Sequence, residues 1–354
     1  MRRLSLLLTI VLFACGGSGG DGAGGLWDVA PSPEGRIAFV VDYVDSDADN
    51  DIYTVNPDGR ALRRLTEDTY LNRNPKWSRD GKLIAFTSNR GGYFSNLFVM
   101  RPDGSRQQNL TKNDVDHSVV TWTQDGQVLM YEGTGTTYLL KLIDPADPKS
   151  VRAVSDQRLY NAALSPDGKR VAFDDYRSVI VMDVDDQMTT RLTPSVERLS
   201  NAEPHWSPDG KRIAFVSNRD GATDVYVMHA DGSSPLRLSN GSPSAKGPAW
   251  SPDGTHIAFL RQGSEVGARA QLWVVNADGS GERRIGVQAC DGQYGFTWSP
   301  DGKRVAFVRG CHADYREDPS TLHVINVDGT GETRIATSIK RSITDPAWSP
   351  APKP

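Results

Sequence analysis

Short apolar stretches of strand length recur along the chain, separated by polar turns. In the unit from residue 206 to residue 239, Arg212–Ser217 reads Arg-Ile-Ala-Phe-Val-Ser, and residues 224–228 and 236–239 form two further stretches. The residues before Trp206 supply a fourth. Apolar runs of this length, rich in branched and aromatic residues, predict β-strands. Four antiparallel strands cannot bury their faces alone, so the units must stack around an axis.

The turn within each unit has a nearly constant sequence. Trp-Ser-Pro-Asp-Gly begins at Trp206, Trp250 and Trp298, and related segments begin at Pro31, Trp77, Trp122, Leu164 and Trp348. In such a turn Pro presets φ and Gly takes the left-handed position. Successive copies begin 42 to 50 residues apart. A period of this length with strand-like content is typical of propeller blades.

The number of repeats predicts an all-β fold, a seven-bladed β-propeller of four-stranded antiparallel blades over residues 26–350. Copies of the second-to-fourth strand set begin near Arg36, Lys82, Gln127, Lys169, Lys211, Thr255 and Lys303. Six blades are the alternative if the weak third unit, residues 127–155, packs irregularly. Two segments compete for the remaining inner strand. Either residues 342–349 close the ring in the blade begun at Arg36, or residues 26–31 form the first inner strand; residues 351–354 are a short tail.

The N-terminus predicts export and a lipid anchor. Arg2 and Arg3 precede an apolar run over residues 4–14, which is short enough for a secretory signal. Its end, Leu-Phe-Ala-Cys15, resembles the bacterial lipobox, so we expect a signal peptide over residues 1–14 and acylation of Cys15; a plain signal peptide is the alternative. Residues 15–25 are the acylated Cys and a Gly-rich, flexible tether. Gly16 after the Cys favours the outer membrane, with the protein facing the periplasm.

These repeats resemble those of TolB-type β-propellers over residues 26–350. The resemblance rests on the Trp-Ser-Pro-Asp-Gly copies, on Ile-Ala-Phe at residues 84–86, 213–215 and 257–259, and on third strands of the Tyr-Val-Met type. TolB itself carries an α/β domain before its propeller and is not lipidated, whereas here a Gly-rich tether precedes the first blade. The resemblance therefore implies the fold and an exported setting, but not the specific partners of TolB.

The charge balance and the cysteines narrow the setting further. The 354 residues include 40 Lys+Arg and 44 Asp+Glu, which argues against a nucleic-acid partner.

If residues 299–302 form a tight hairpin turn, Phe296 lies opposite Val305 and Trp298 opposite Lys303. The same register places Cys290 opposite Cys311. We therefore predict a Cys290–Cys311 disulfide, which an exported compartment favours; two unrelated thiols are the alternative.

The predicted binding surface is the face of the propeller where loops lead into the inner strands and connect the second strand to the third. Loops on a rigid scaffold commonly carry function. The residues just before each inner strand are the candidates for the channel mouth: Arg73, His117, Tyr160, Glu203, Lys246, Tyr294 and Asp345. This set mixes charges with aromatics and lacks the clustered ligands of a transition-metal site. No catalytic residues are predicted.

One acidic segment resembles a calcium loop in part. Asp45, Asp47, Asp49 and Asp51 alternate as Ca²⁺ ligands do, but the Gly and Glu of a complete EF-hand loop are missing. A solvated loop is therefore the favoured interpretation, with Ca²⁺ as the weaker one, and no cofactor is expected.

Together these features predict a monomeric envelope scaffold that binds a protein or peptide and contacts the membrane through its lipid alone. The alternatives are a periplasmic polysaccharide lyase or hydrolase and a carbohydrate-binding module, each using the same face.

Overall fold

The computed structural model describes residues 34–43, 50–134, 137–155, 159–241, 244–262, 270–289, 295–310, 320–338 and 341–351. These residues form strands and turns, and among them no helix is long and apolar enough to cross a membrane. The strands, in chain order, are β1 (Ile37–Tyr43), β2 (Asn50–Val55), β3 (Arg63–Arg64), β4 (Asn72–Trp77), β5 (Ile84–Ser88), β6 (Asn96–Met100), β7 (Gln108–Asn109), β8 (Asp116–Trp122), β9 (Val128–Thr134), β10 (Thr137–Asp144), β11 (Asp147–Ala153), β12 (Tyr160–Leu164), β13 (Arg170–Asp174), β14 (Val179–Asp183), β15 (Thr189–Arg191), β16 (Asn201–Trp206), β17 (Arg212–Ser217), β18 (Asp224–His229), β19 (Leu236–Arg237), β20 (Ala245–Trp250), β21 (His256–Arg261), β22 (Ala270–Asn276), β23 (Arg283–Ala289), β24 (Phe296–Trp298), β25 (Arg304–Arg309), β26 (Ser320–Asn326), β27 (Thr333–Ser338) and β28 (Arg341–Trp348).

The strands form seven antiparallel blades of four. Blade 1 has the order β28-β1-β2-β3, and blades 2 to 7 follow in chain order as β4–β7, β8–β11, β12–β15, β16–β19, β20–β23 and β24–β27. Ala289 of β23 also pairs with Arg309 of β25, which links blades 6 and 7. The weak third unit is a regular four-stranded blade. The prediction of seven blades is therefore confirmed.

The C-terminal strand closes the ring. β28 pairs with β1 as the innermost strand of blade 1, with Trp348 opposite Ile37 and Thr344 opposite Val40. This decides between the two segments that competed for the position. Each blade then packs on its neighbours, and the core lies between blades, as where Val179 of blade 4 packs in one cluster with Trp206 and Phe215 of blade 5.

A network of hydrogen bonds explains the constant turn sequence. In the copy at Trp206, Ser207 Oγ donates to Asp209 Oδ1 at 2.6 Å and accepts from the N–H of Arg212, while Asp209 accepts from the N–H of Lys211. Gly210 has a φ of +69°, which a residue with a Cβ rarely adopts. Ser, Asp and Gly are therefore each required by the turn itself.

The same network corrects the predicted hairpin register. The turn of blade 7 is closed between the N–H of Ser299 and the carbonyl of Arg304, so four residues, 300–303, lie between the closing pair. Phe296 consequently lies opposite Phe307, and Trp298 opposite Val305. The predicted register was wrong by two residues. Cys290 and Cys311 lie outside the described residues, and their disulfide stays a prediction.

The Trp of the repeat joins neighbouring blades. Trp250 Nε1 donates to the carbonyl of His205 in the preceding blade at 3.1 Å, and the Arg212 guanidinium lies 4.6 Å from the ring centroid. Trp206 and Trp298 donate in the same way to Ala163 and Ala249. Leu164 fills this position in blade 4 and has no donor to offer. Five Trp side chains thus add polar links between blades, since Trp77 and Trp122 donate likewise to Ala347 and Lys76.

We expect Trp250→Phe to lower the free energy of unfolding by about 1–2 kcal/mol, because it removes a hydrogen bond to a carbonyl between blades and weakens the stacking with Arg212. Trp273→Phe is the matched control, since Trp273 donates only to Gln271, two residues away in its own strand. Urea denaturation of both variants measures the difference. An equal loss in the two would contradict the role assigned to the bond between blades.

Candidate functional site

Five inner strands contain a bulge at the same position. The residue there has left-handed φ: Asn74 (+56°), Asn161 (+47°), Glu203 (+54°), Gly247 (+62°) and Asp345 (+50°). Pairing with the second strand skips at each, as where Arg73 pairs with Thr87 but Lys76 pairs with Ala85. A bulge of this kind leaves one residue out of the ladder and redirects its side chain. Non-Gly residues with left-handed φ are uncommon and cluster at functional sites.

The bulge residues bond to neighbouring blades around the inner edge of the ring. Asn74 Nδ2 donates to the carbonyl of Val119 in blade 3 at 2.8 Å, and its N–H donates to Asp345 Oδ2 of blade 1 at 3.4 Å. On the other side of the ring, the N–H of Gly247 donates to Glu203 Oε2 at 2.5 Å. These bonds tie adjacent inner strands together where they surround the channel.

One buried carboxylate holds three of the left-handed residues. Asp174, at the end of β13, accepts at Oδ2 from Asn161 Nδ2 (2.8 Å) and from the N–H of Glu203 (3.0 Å). Its Oδ1 accepts from the N–H of Tyr176, whose φ is +67°. Burial raises the pKa of Asp174, while the hydrogen bonds that it accepts act in the opposite direction. Blades 4 and 5 are thus fixed to each other, and to a loop of the mouth, through a single side chain.

Counted back from the Trp of each repeat, the predicted mouth residues occupy three consecutive positions of the inner strands, and His117 is the one farthest from its Trp. Glu203 and Asp345 are bulge residues, whereas Arg73, Tyr160 and Lys246 directly precede the bulges of their strands. Arg73 is exposed and Lys246 is half-buried. Tyr294 lies outside the described residues. The structure therefore brings Glu203 and Asp345 to the inner edge of the ring, and it places Arg73, Tyr160 and Lys246 one residue nearer the mouth.

His117 is buried. Its N–H donates to the carbonyl of Ser95 at 2.8 Å, and its Nε2 lies 3.3 Å from Glu132 Oε2. Burial would raise the pKa of Glu132, but the hydrogen bond and charge of Lys141, together with His117, lower it. His117 therefore contributes to the joint between blades 2 and 3.

Two basic residues of the inner strands were not predicted as site residues. Lys76 and His205 both directly precede the Trp of their repeat. Burial lowers the pKa of Lys76, and the charge of Asp345 opposes this shift; burial likewise raises the pKa of Asp345, and Lys76 opposes that. Part of His205 is exposed to solvent, yet desolvation by the surrounding protein lowers the pKa of its imidazole. The inner edge thus places amine, imidazole, carboxylate and amide groups around one axis.

Exposed tyrosines distinguish the face where loops lead into the inner strands, here called the mouth face, from the opposite face of Ser-Pro-Asp-Gly turns, here called the turn face. Tyr93, Tyr176 and Tyr70 are 92%, 58% and 41% exposed, and all three lie in loops of the mouth face. Tyr160 packs on Tyr176 with ring centroids 4.3 Å apart. Every exposed tyrosine among the described residues is therefore on the predicted binding face.

One of the four carboxylates considered as Ca²⁺ ligands is engaged within the protein. Asp51 is buried, and its oxygens accept from Arg64 Nη2 at 2.6 Å and from Thr66 Oγ1 at 3.0 Å. Asp45, Asp47 and Asp49 lie outside the described residues. Within the part of the chain that the structure describes, no group of three or more His, Cys, Asp or Glu side chains is arranged to hold a metal ion.

One buried histidine of blade 7 is a source of pH dependence. Burial and the charges of Arg309 and Arg334 lower the pKa of His323 to about 4, although Glu332 Oε1 lies 2.8 Å from its Nδ1. The unfolded chain takes up this proton near pH 6.5, so the contribution of His323 to stability is complete above that pH and is lost as the pH falls toward 4.

The free energy of unfolding of the parent chain should fall between pH 7 and pH 4.5, and we expect this fall to be roughly 2 kcal/mol smaller in His323→Phe. Phe98 and Tyr226 fill the corresponding positions of blades 2 and 5, so the ring fits the site. Guanidinium denaturation at the two pH values measures the change. A variant with the same pH dependence as the parent chain would show that His323 titrates normally.

The chain matches other proteins in both sequence and structure. It is 39% identical over 59 residues to the Tol-Pal system protein TolB of Desulfosudis oleivorans, a segment that covers 17% of this chain and 13% of that protein. The matched segments span at most 27% of the length of the first curated relatives. Among solved structures, TolB from Acinetobacter baumannii superposes with a TM-score of 0.57 at 19% identity, over 89% of this chain and 67% of that one.

The same fold occurs in proteins with other names. Oligogalacturonate lyase from Vibrio parahaemolyticus superposes with a TM-score of 0.61 at 14% identity, over 85% of each chain. Identities this low show the fold alone. The family described as the TolB beta propeller domain, by contrast, matches residues 27–140 and 133–315, which is more than half of the sequence. With seven blades, a strand-for-strand repeat and this match, the chain belongs to the TolB β-propeller domain family.

Proposed function

We propose that the protein is an exported, lipid-anchored scaffold that binds an envelope protein or peptide through its mouth face. The observation that carries this proposal is the concentration of exposed tyrosines on that face. Tyr side chains are enriched in protein interfaces because they offer a large contact area and a hydroxyl group at low entropic cost. The proposal gives the chain no catalytic role.

The rigidity of the mouth supports the same function. Asp174 holds the backbone of Tyr176 and the bulges at Asn161 and Glu203, and Tyr160 packs on Tyr176. A surface that is already ordered loses little entropy when a partner binds. Left-handed residues fixed by one carboxylate therefore favour a preformed binding surface between blades 4 and 5.

Substitution of two mouth tyrosines tests the proposal. We expect Tyr93→Ser combined with Tyr176→Asn to reduce capture of the envelope partner at least tenfold, because exposed aromatic anchors contribute roughly 1–2 kcal/mol each or more to protein interfaces. Asn tolerates the left-handed φ of Tyr176. The measurement is a pull-down from envelope extract with quantitative mass spectrometry.

Met188→Ser is the matched control, because the exposed fraction of Met188, 70%, lies between those of the two tyrosines, but the residue is on the turn face. Capture that survives the tyrosine substitutions, or that falls with Met188→Ser, would contradict binding through the mouth. The anchor is tested separately: the mass of the N-terminal peptide of the membrane-bound protein should include acyl chains on Cys15.

A carbohydrate ligand is the second candidate, and the Tyr160–Tyr176 pair favours it, because exposed aromatic rings also stack on sugar rings. Retention of a glycan in place of a protein by the same immobilised chain would support this function. Release of unsaturated products from oligogalacturonides would instead indicate a lyase.

A further inference from the structure

The chain enters the propeller at the turn face. The carbonyl of Glu34 accepts from Trp348 Nε1 at 2.8 Å, and its carboxylate lies 3.0 Å from Arg304 Nη2 of blade 7. Two residues later, the carbonyl of Arg36 accepts from the N–H of Ser349 at 2.8 Å. Any segment that precedes Glu34 therefore leaves from this face, at the boundary between blades 7 and 1. The mouth face with its tyrosines is on the opposite side of the ring.

The turn face is basic beside this point. The turns that join the first strand to the second, and the third to the fourth, lie on this face. In blades 1 and 2 they and the adjoining strand ends carry seven basic side chains, here called the basic corner: Arg36, Arg60, Arg63, Arg79, Lys82, Arg101 and Arg106. The acidic side chains there are Glu34, Asp58, Asp80 and Asp103.

The carboxylates of the basic corner are largely engaged by their own turns. Asp58 accepts from the N–H of Arg60, and Asp103 accepts from the N–H and hydroxyl group of Ser105. Asp80 accepts from Ser78 Oγ and from the N–H of Lys82. Burial and the charge of Arg63 lower the pKa of Arg36, so two guanidinium groups that repel each other are held together here. Asp58 and Asp80 also lie 3.9 Å and 3.5 Å from Arg60 and Lys82. With seven basic side chains against four acidic ones, the corner still carries an excess of positive charge.

The neighbouring part of the same face has the opposite charge. In blades 3 and 4 the corresponding turns and strand ends carry Asp125, Asp144, Asp147, Asp167, Asp183, Asp185 and Asp186 against Lys149, Arg152, Lys169 and Arg170. The repeat itself contributes one Asp to each of the turns that begin with Ser or Thr. The difference in charge between blades 1 and 2 and blades 3 and 4 therefore comes from residues outside the repeat sequence. The positive charge thus coincides with the point where the chain enters, and not with the turn face as a whole.

We propose that the basic corner rests on an anionic lipid surface and thereby fixes the orientation of the propeller, with its mouth face directed away from the membrane. This proposal builds on the lipid anchor at Cys15, which would bring the turn face to the membrane through the segment before Glu34. Basic side chains near an anionic bilayer bind it electrostatically, and the attraction decays within a Debye length. A partner then reaches the mouth tyrosines from the side that faces away from the anchored membrane.

Binding of the unlipidated protein to vesicles tests this contact without the anchor. A chain that begins at Gly16 keeps every described residue, and its cooperative thermal unfolding confirms the fold. We expect it to cosediment with vesicles rich in phosphatidylglycerol at low salt, to dissociate as salt is added, and to leave pure phosphatidylcholine vesicles unbound. Arg60→Glu with Arg101→Glu should weaken this binding at least tenfold, because each reversal replaces an attraction by a repulsion.

Lys149→Glu with Lys169→Glu is the matched control, since it makes the same charge change in exposed turns of blades 3 and 4. Unchanged binding of this control supports the proposal. Equal losses in the two double variants, equal binding to both lipids, or no binding at low salt would overturn it. These outcomes do not depend on acylation of Cys15 or on capture of a partner, so a failure here is distinct from a failure of the proposed function.

Discussion

Removal of residues 341–354 should prevent the chain from folding into a stable propeller. The deletion takes away β28, which supplies the buried side chains of Ile343 and Trp348 and pairs with β1 along its length. Burial of large apolar side chains contributes about 1.5–3 kcal/mol each, and the lost strand also leaves β1 without a partner on its inner side. The total approaches the 5–15 kcal/mol that stabilises a typical domain.

The measurement is the soluble yield and the thermal unfolding of the truncated chain. Removal of residues 352–354 alone is the control, because β28 ends at Trp348 and Ser349 still donates to Arg36. We expect the control to unfold like the parent chain and the longer deletion to yield aggregated or protease-sensitive material. A cooperative transition near the parent temperature in the longer deletion would mean that six complete blades and an open seventh are stable, and that ring closure contributes little.

The repeat made the blades predictable, whereas ring closure needed the structure. Each turn of the Trp-Ser-Pro-Asp-Gly type is stabilised by bonds among residues a few positions apart, such as Ser207, Asp209 and Arg212, so the local sequence determines it. The pairing of β28 with β1 joins residues about 300 positions apart. Both candidate segments fitted an inner strand, and only the assembled ring distinguishes them.

The bulges had a sequence signal that the repeat concealed. In four inner strands Pro directly follows the left-handed residue and precedes the Trp by two positions, as in Asn74-Pro75-Lys76-Trp77 and Glu203-Pro204-His205-Trp206. Pro has no N–H for the ladder, so its recurrence inside a strand indicates an interruption of pairing. Aligning the repeats on this Pro would have grouped Asn74, Glu203, Gly247 and Asp345 as equivalent residues. Choosing the residue just before each inner strand instead combined residues from three different positions of the repeat.

The role of Asp174 had no such signal. Its partners Asn161, Tyr176 and Glu203 come from an inner strand, a loop and the next blade, and no spacing in the sequence relates them. The repeat predicts an average blade, and the features specific to this protein are the departures from that average. These departures include the tyrosines of the mouth and the basic corner of the turn face, which lie on opposite sides of one rigid ring. The arrangement allows attachment and binding to occur at separate surfaces.

Replacement of Arg261 by Met should lower the free energy of unfolding by about 3 kcal/mol. Arg261 is 4% exposed in its side chain and joins blades 5 and 6: its guanidinium lies 3.6 Å from the buried Asp224 and donates to the carbonyl of Gly241 at 2.7 Å and to Glu282 at 2.5 Å. It also lies over the rings of Phe259 and Trp273. Removing one partner of a buried charge network costs about 3–5 kcal/mol when the remaining charge is left uncompensated and no solvent replaces the lost partner.

The comparison with Arg60→Met separates the charge network from a general effect of losing an Arg. Arg60 lies 3.9 Å from Asp58 with both side chains largely exposed, and such pairs contribute about 0–1 kcal/mol. Asp224 keeps Arg237 and Ser239 as partners in the Arg261 variant, which is why we expect the lower end of the buried range. If urea denaturation gave equal losses for the two substitutions, Arg261 would be acting as an ordinary surface residue, and the joint between blades 5 and 6 would depend on apolar packing alone.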